Sequence, residues 1–520
     1  MNPINHFTML NKWMTHAFVG IILIPFLSGC GKSGKDSRNT GEPSPNIVYI
    51  LADDLGYGDL SCLNDSSKIQ TSNIDELADE GMYFTDAHSG SAVCTPTRYG
   101  ILTGRYSWRS RLKSGVTWSY DKHLIDPQTM TVASFLKEHG YNTGCIGKWH
   151  LGLDWAMDDS GEADFSQPIE NGPPALGFQY FYGITASLDI PPYLYIENDR
   201  VTTTSIDTIE ANQGKGFWRK GPIGEDFTHK EVLPTLAEKA VGYINRQSKD
   251  KPFFLYFPLT APHTPILPTE QFQGKTNTNA YGDFVLMVDH IVGQVMDALE
   301  SNGLKENTLI VFTSDNGCSP RADFEELAQV GHDPSYRFRG HKADIYEGGH
   351  RIPFIARWPG HIEEGTTSDE TVCLNDLLAT CADILNDTLP DTAGEDSYSI
   401  LPALLDQEYQ APIREATVHH SVNGSFAIRQ GKWKLIFCPG SGGWSDPRPG
   451  KAREMDLPSL QLYNLEEDID ESNNLVAEYP EVVDRLTRLM EEYVEKGRST
   501  PGAEQKNQGE IEFLPGGYQR

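Results

Sequence analysis

Positive charge is scarce in this sequence. Its 520 residues hold 43 Lys and Arg against 73 Asp and Glu, a formal net charge of −30 at pH 7. A phosphate backbone is bound by a basic face, so nucleic acid is excluded as a partner. The same balance requires any anionic substrate to meet a local basic pocket inside an acidic field. Membrane-length apolar runs are lacking as well: AFVGIILIPFL at 17–27 is too short to cross a bilayer as a mature helix. Cysteine is sparse, eight residues with no C-x-x-C pair, which argues against a structural zinc site. Internal repeats are absent. With 38% hydrophobic and 22% charged residues and a mean hydropathy of −0.44, the chain reads as globular, with room for a large core and a smaller second unit.

The N-terminus stands apart from the fold. Lys12 and His16 precede the apolar run, and Leu27-Ser28-Gly29-Cys30 closes it with small residues, the pattern of a secretory signal. That exit resembles the bacterial lipobox, whose Cys becomes the lipid-bearing first residue. Residues 1–30 are therefore expected to be a lipoprotein signal with Cys30 lipidated, and 31–45, GKSGKDSRNTGEPSP, a flexible tether. The expected location is outside the cytoplasm, in the periplasm or outer membrane of a Gram-negative bacterium, with the membrane touched only through the lipid anchor. Export permits disulfides among Cys62, Cys145, Cys318, Cys373, Cys381 and Cys438, and the sequence does not choose a pairing.

From residue 46 strands and helices alternate. IVYIL (47–51), PFFLYF (252–257) and LIVFTS (309–314) are apolar runs suited to buried strands, and YNTGCIG (141–147) is placed as a further strand ahead of Lys148. Asp126-Pro127 reads as a helix start running to Gly140, and 233–244 and 284–299 carry amphipathic helical spacing. This pattern predicts an α/β fold: a large, mostly parallel sheet sandwiched by helices, over 46–410. After 410 the grain changes. SFAIRQGKWKLIFC (425–438) reads as a hairpin, 460–465 as a strand and 482–497 as a helix, so 411–500 is expected to be a small antiparallel subdomain and 501–520 a frayed polar tail.

Chemistry collects where strands end. Asp53 and Asp54 follow the first, Lys148 and His150 the second, His263 the third, Asp315 and Asn316 the fourth. In an open α/β sheet, ligands bind beyond the carboxyl ends of the strands, so four exits aim these groups at one crevice. Asp53, Asp54, Asp315 and Asn316 are hard oxygen donors that suit Ca²⁺, with Mg²⁺ second, better than Zn²⁺. Singly, each is also readable as a turn or helix-capping residue. Arg98, Lys148 and Lys342 can form the basic pocket; Arg339 and Arg351 are equally readable as solvated surface charges. Cys94, four residues before Arg98, is either a thiolate favoured by a nearby cation or a small buried apolar residue.

Cys94-Thr95-Pro96-Thr97-Arg98 with Leu102-Thr103-Gly104-Arg105 resembles the C-x-P-x-R signature of the formylglycine-dependent sulfatases, of the alkaline phosphatase-like superfamily. Residues 47–56, 147–152 (GKWHLG), 261–265 (APHTP), 314–317 and 342–349 resemble five further blocks in that family's order, and LYNLEEDIDESNNL (462–475) its small-domain signature. The resemblance covers about 46–495. It implies sulfuric ester hydrolysis through Cα-formylglycine, made from Cys94 by a sulfatase-maturating enzyme, whose hydrated diol is the nucleophile. It also implies Ca²⁺ held by Asp53, Asp54, residue 94, Asp315 and Asn316, and transition-state charge neutralised by Lys148 and Lys342. Arg98 would hold the modified side chain, His150 would sit beside it, and His263 would lie near the leaving group. A short helix over 97–103 is expected just after Cys94, its amide end favouring an anion.

Two rivals share these residues: a phosphodiesterase or phosphonate hydrolase with the same nucleophile, and an inactive lipid-anchored binder of sulfated glycans. Lys148, His150 and Lys342 favour the sulfatase. The expected substrate is a sulfated oligosaccharide, exo-cleaved at sulfated galactose or N-acetylgalactosamine, with the 6-position favoured. Asp154, His332 and Ser335 are the expected sugar contacts, being close in sequence to the catalytic blocks. Between 153 and 230, Trp155, Tyr180, Tyr182, Tyr193, Tyr195, Trp218 and His229 either stack on sugars or simply pack together.

Overall fold

Every side chain from Ile47 to Ala52 is buried, and successive residues enter different cores: Ile47, Tyr49 and Leu51 on one face of a sheet, Val48, Ile50 and Ala52 on the other. Phe254 and Tyr256 against Leu255 and Phe257, and Leu309 and Val311 against Ile310 and Phe312, divide the same way. A strand apolar on both sides needs helices on both sides. The computed structural model describes residues 43–407, 409 and 412–515. The signal, the Cys30 lipobox and most of the expected tether lie outside them.

The central strands are β1 (Asn46–Asp53), β2 (Asn142–Lys148), β3 (Tyr180–Ile184), β4 (Phe253–Pro262) and β5 (Thr308–Ser314), side by side as β5-β1-β4-β2-β3 and all parallel. Shorter strands extend both edges to a ten-stranded sheet, with antiparallel pairing beyond β5 and β3. Register Ala52 to Ser314 and Asp53 to Pro262 brings three carboxyl ends level. Helices Val232–Asn245 and Ala280–Ser301 cover one face, and Val132–Glu138 lies on the other. A four-stranded antiparallel sheet (Thr417–His420, Phe426–Gln430, Trp433–Ile436, Gln461–Asn464) packs with helix Pro480–Lys496, and both sheets belong to one compact unit.

Three expectations change. The helix expected from Asp126 starts at Val132: Thr131 caps it, its Oγ1 accepting from the Ser134 amide at 3.0 Å, while the Asp126 carbonyl closes a turn with the Thr129 amide. The tail does not simply fray, for Asn507 accepts from Arg109 at 3.1 Å and Phe513 packs edge-on against Phe437. Arg351 is buried between Asp86 and Glu347, at 2.8 Å from each, so it is no surface charge. The seven cysteines among the described residues are all free thiols.

Candidate active site

Helix α1, Cys94–Thr103, begins at the cysteine itself rather than three residues later. All ten of its residues are buried, Gly104 ends it in the left-handed region, and no side chain caps its first turn, so its leading amides remain available to an anion. Spacing of four places Arg98 one turn below Cys94 on the same face. Arg98 donates to Asp315 Oδ2 from Nε (3.1 Å) and Nη2 (2.8 Å), and to the Lys148 carbonyl from Nη1 (2.9 Å). One buried side chain thereby ties the helix to the exits of β5 and β2.

The remaining groups close around this axis. Lys148 Nζ lies 2.9 and 2.7 Å from the two oxygens of Asp53, and Lys342 Nζ 2.6 and 2.7 Å from those of Asp54. Asn316 donates to Asp54 Oδ1 at 2.8 Å, and His263 Nε2 lies 3.6 Å from Asp54 Oδ2. Ligand atoms of Asp53, Cys94 and Asp315 lie within 4.8 Å of one another, as do those of Asp53, Asp54 and His263. The sequence-expected catalytic and metal-binding residues therefore come together.

Local backbone geometry explains some of the residue choices. Gly147 has φ 135°, and a Cβ there would lie 1.8 Å from the Pro258 carbonyl oxygen, so only glycine permits the approach that precedes Lys148. Asp54, His150 and Ala343, beside Lys342, hold φ of 68°, 56° and 80°, a region that costs non-glycine residues free energy and clusters at functional sites. Ala343 is kept there by its amide on the Ala92 carbonyl (2.8 Å) and by its own carbonyl, which accepts from Val422 (3.1 Å).

Burial and neighbouring charge together set the protonation states. Burial alone would raise Asp53, but Lys148, with His263 and Arg98, outweighs it and holds the carboxyl well below its usual range. Asp315 is pushed up to about 6, first by burial and then by the Asp53 charge, against Arg98 and Lys148. The third carboxylate is thus short of compensating positive charge. Burial also raises the Cys94 thiol despite Lys148 and Lys342, so unmodified Cys94 is a thiol rather than a reactive thiolate. Burial first, then Lys148 and Arg98, hold His150 well below its usual range, in the neutral form. Its Nε2 donates to the Thr117 carbonyl at 2.8 Å, and its buried Nδ1 has no partner among the described residues. Thr117 was not foreseen; its part is played by a backbone carbonyl, which carries no sequence signal.

The donor set fits a hard cation. Three carboxylates and an amide converge, and Asn316 Oδ1 is buried with no partner among the described residues while its Nδ2 is committed to Asp54. An orphaned oxygen beside an under-compensated carboxylate is what a divalent ion satisfies.

The expected sugar contacts do not join this group. His332 is buried, with Nε2 2.9 Å from Asp59 and Nδ1 accepting from the Lys68 amide at 3.3 Å, so no ring nitrogen is left for a hydroxyl. Asp59 Oδ2 accepts the Gly56 amide at 2.7 Å and faces Tyr281, so His332 braces the loop after β1. Asp154 is bound by His123 Nδ1 (2.9 Å) and Asn171 Nδ2 (2.8 Å) as a loop tie. Ser335 donates to the Gly340 carbonyl at 2.9 Å and is half-buried. All three residues are thus engaged by groups of the scaffold. The aromatics after 153 pack mostly on each other: Trp155, Tyr182, Tyr193 and Tyr195 are buried, and Trp218 stacks on His229 at 4.2 Å.

A family profile described as Sulfatase matches residues 45–387. A Bacteroides thetaiotaomicron N-acetylgalactosamine-6-O-sulfatase is 34% identical over 515 residues, covering 90% of this chain and 96% of its own. Human arylsulfatase A is 33% identical, with 86% and 87% covered. A solved structure from work on the metabolism of multiple glycosaminoglycans by Bacteroides thetaiotaomicron superposes with a TM-score of 0.77 at 33% identity, over 86% of this chain and 99% of that one.

Proposed function

The chain belongs to the sulfatase family and is a sulfuric ester hydrolase, and from that premise we propose that it removes the 6-sulfate of N-acetylgalactosamine or galactose from oligosaccharides, acting from the chain end. The observation that carries the substrate is the near full-length similarity to an N-acetylgalactosamine-6-O-sulfatase. The site supports the reaction. Cys94, oxidised to formylglycine by a maturating enzyme, supplies a hydrated aldehyde as nucleophile, and Ca²⁺ on Asp53, Asp54, residue 94, Asp315 and Asn316 supplies Lewis acidity. Lys148 and Lys342 carry the positive charge that meets the sulfuryl oxygens, and Arg98 fixes residue 94 against Asp315. His150, neutral with a free Nδ1, is the proton acceptor, and His263 is the donor to the leaving sugar oxygen. A signal ending at Cys30 exports the enzyme and anchors it by lipid where external oligosaccharides arrive.

Mass spectrometry of residue 94, with a panel of sulfated monosaccharides and matched phosphate esters, tests this. Formylglycine at 94, turnover of the 6-sulfated sugars and loss of turnover in Cys94→Ala are expected. Faster phosphate cleavage, or an active Cys94→Ala protein, would overturn it.

A further inference from the structure

Thr117 holds His150 twice: its carbonyl accepts from Nε2 at 2.8 Å, and its hydroxyl donates to the His150 carbonyl at 3.1 Å. The next residue, Trp118, leaves 49% of its surface exposed, unusual for so large a ring. A cation lies over it. Arg219 Cζ is 5.1 Å from the Trp118 ring centre and 5.2 Å from that of Phe217, and Arg321 Cζ is 5.1 Å from Phe217.

Arg321 lies on the loop that leaves β5 through Asp315 and Asn316. Arg219 is fixed from the other side. Its amide and Nη1 donate to the Asp189 carbonyl at 3.2 and 3.1 Å, and Nη1 also meets the Asp189 carboxylate. The Thr185 carbonyl, four residues earlier, accepts from the His150 amide at 2.9 Å, so one segment supports both Arg219 and His150. Neighbouring Lys215 is neutralised by Asp323 and Glu326 and adds no free charge.

We propose that Arg219 and Arg321, around Phe217 and Trp118, form a subsite for a second anionic group of the substrate: a carboxylate or sulfate on the sugar next to the one being desulfated. Solvated surface arginine is the ordinary alternative, and three features weigh against it. Arg321 has no acidic partner among the described residues, although the chain has 73 acids to offer. Arg219 Nε and Nη2 likewise donate to nothing among the described residues, and its side chain is 40% exposed, leaving one edge of a planar fork free for an oxyanion. Arg321 stands on the segment that supplies Asp315 and Asn316, and Arg219 is held by the segment that also supports His150. Aromatic faces beside them offer a platform for the sugar ring bearing that anion. The inference rests on the sulfatase reading and narrows its substrate to oligosaccharides with adjacent negative charges.

The test measures kcat/KM for the wild type, Arg321→Gln, Arg219→Gln and the double variant. The substrates are disaccharides with the same 6-sulfated terminal sugar, whose neighbour bears a carboxylate, a sulfate or neither. In the wild type the charged neighbours are favoured about 10- to 100-fold over the neutral one, the range expected for hydrogen bonds to a charged group. That preference collapses toward one in the double variant and falls part way in Arg321→Gln, whose exposed side chain meets the Phe217 ring and no acid among the described residues. Comparing carboxylate with sulfate shows which anion is taken. A wild type that cleaves all three equally, or a preference that survives in the double variant, overturns the subsite alone. A wild type that cleaves none of the sulfated disaccharides, nor the free sugar sulfate, overturns the underlying function.

Discussion

His263 keeps one ring nitrogen occupied. Its Nδ1 lies 2.6 Å from the Thr264 carbonyl, which can only accept, so the hydrogen sits on Nδ1 and Nε2 is the nitrogen left for exchange with a substrate. His150 is arranged the opposite way, with Nε2 committed to Thr117 and Nδ1 free. In the neutral ring each free nitrogen carries a lone pair, so either imidazole can take up a proton there and a ring that has taken one up can deliver it. If His263 protonates the leaving oxygen, its value depends on how badly that oxygen needs the proton. His263→Ala is expected to lower kcat/KM about 100- to 10,000-fold on a sugar sulfate, whose alkoxide is a poor leaving group. On an aryl sulfate with an acidic phenol the loss should be under about tenfold, because the phenolate leaves unaided. Equal losses on both substrates would remove His263 from that role.

At the scale of elements, the small sheet is fastened to the large one by buried charge. Lys434, on strand Trp433–Ile436, is fully buried and lies 3.0 Å from Glu347, 2.8 Å from Glu471 and 3.0 Å from His350 Nε2. Beside it, Arg351 and Arg429 share Asp86. Breaking a buried pair leaves an uncompensated charge, so Lys434→Met is expected to cost about 3–5 kcal/mol, read as a lowered denaturation midpoint. Adding Glu471→Gln should recover part of that loss, since it neutralises one stranded acid; a midpoint unmoved by Lys434→Met would show that the network does not hold the sheets. Nothing in the sequence marks Lys434, Glu347 or Glu471 as partners, because a Lys is usually solvated and only the fold brings these three together. The strands were legible because apolar runs such as LIVFTS have few other uses, and the donors of the site because they follow those runs directly. Start points were less so. Asp126-Pro127 and Thr131-Val132 both look like helix entries, and the reciprocal bonds of Thr131 with Ser134 decide between them. Asp154, His332 and Ser335 are engaged by neighbouring scaffold groups, a use that closeness along the chain does not reveal.

Across the whole molecule, a chain of net charge −30 places three buried carboxylates and three buried cations, Arg98, Lys148 and Lys342, at one end of its central sheet. That centre is balanced by count, yet Asp315 is pushed up to about 6 and Asn316 Oδ1 has no partner among the described residues, so one more positive charge fits it. Its donors come from β1 and β5, adjacent parallel strands in register from Asn46 with Thr308 to Ala52 with Ser314, so an ion there bridges segments 261 residues apart in the chain. Anything that binds the folded form and not the unfolded one stabilises it by mass action, about 2.7 kcal/mol at a concentration 100 times its Kd. Adding Ca²⁺ to chelator-treated protein should therefore raise the unfolding midpoint in a saturable way. Mg²⁺ should raise it less, because a smaller ion demands tighter octahedral geometry and gives up its water reluctantly. Asn316→Ala removes the orphaned oxygen and should weaken the Ca²⁺ response, while Asp53, Asp54 and Asp315 keep their bonds to Lys148, Lys342 and Arg98. This readout is independent of turnover, so it holds even for protein whose Cys94 has not been oxidised. A midpoint indifferent to both Ca²⁺ and chelator would mean that Arg98, Lys148 and Lys342 alone balance the three acids, and that the sheet end works without a metal.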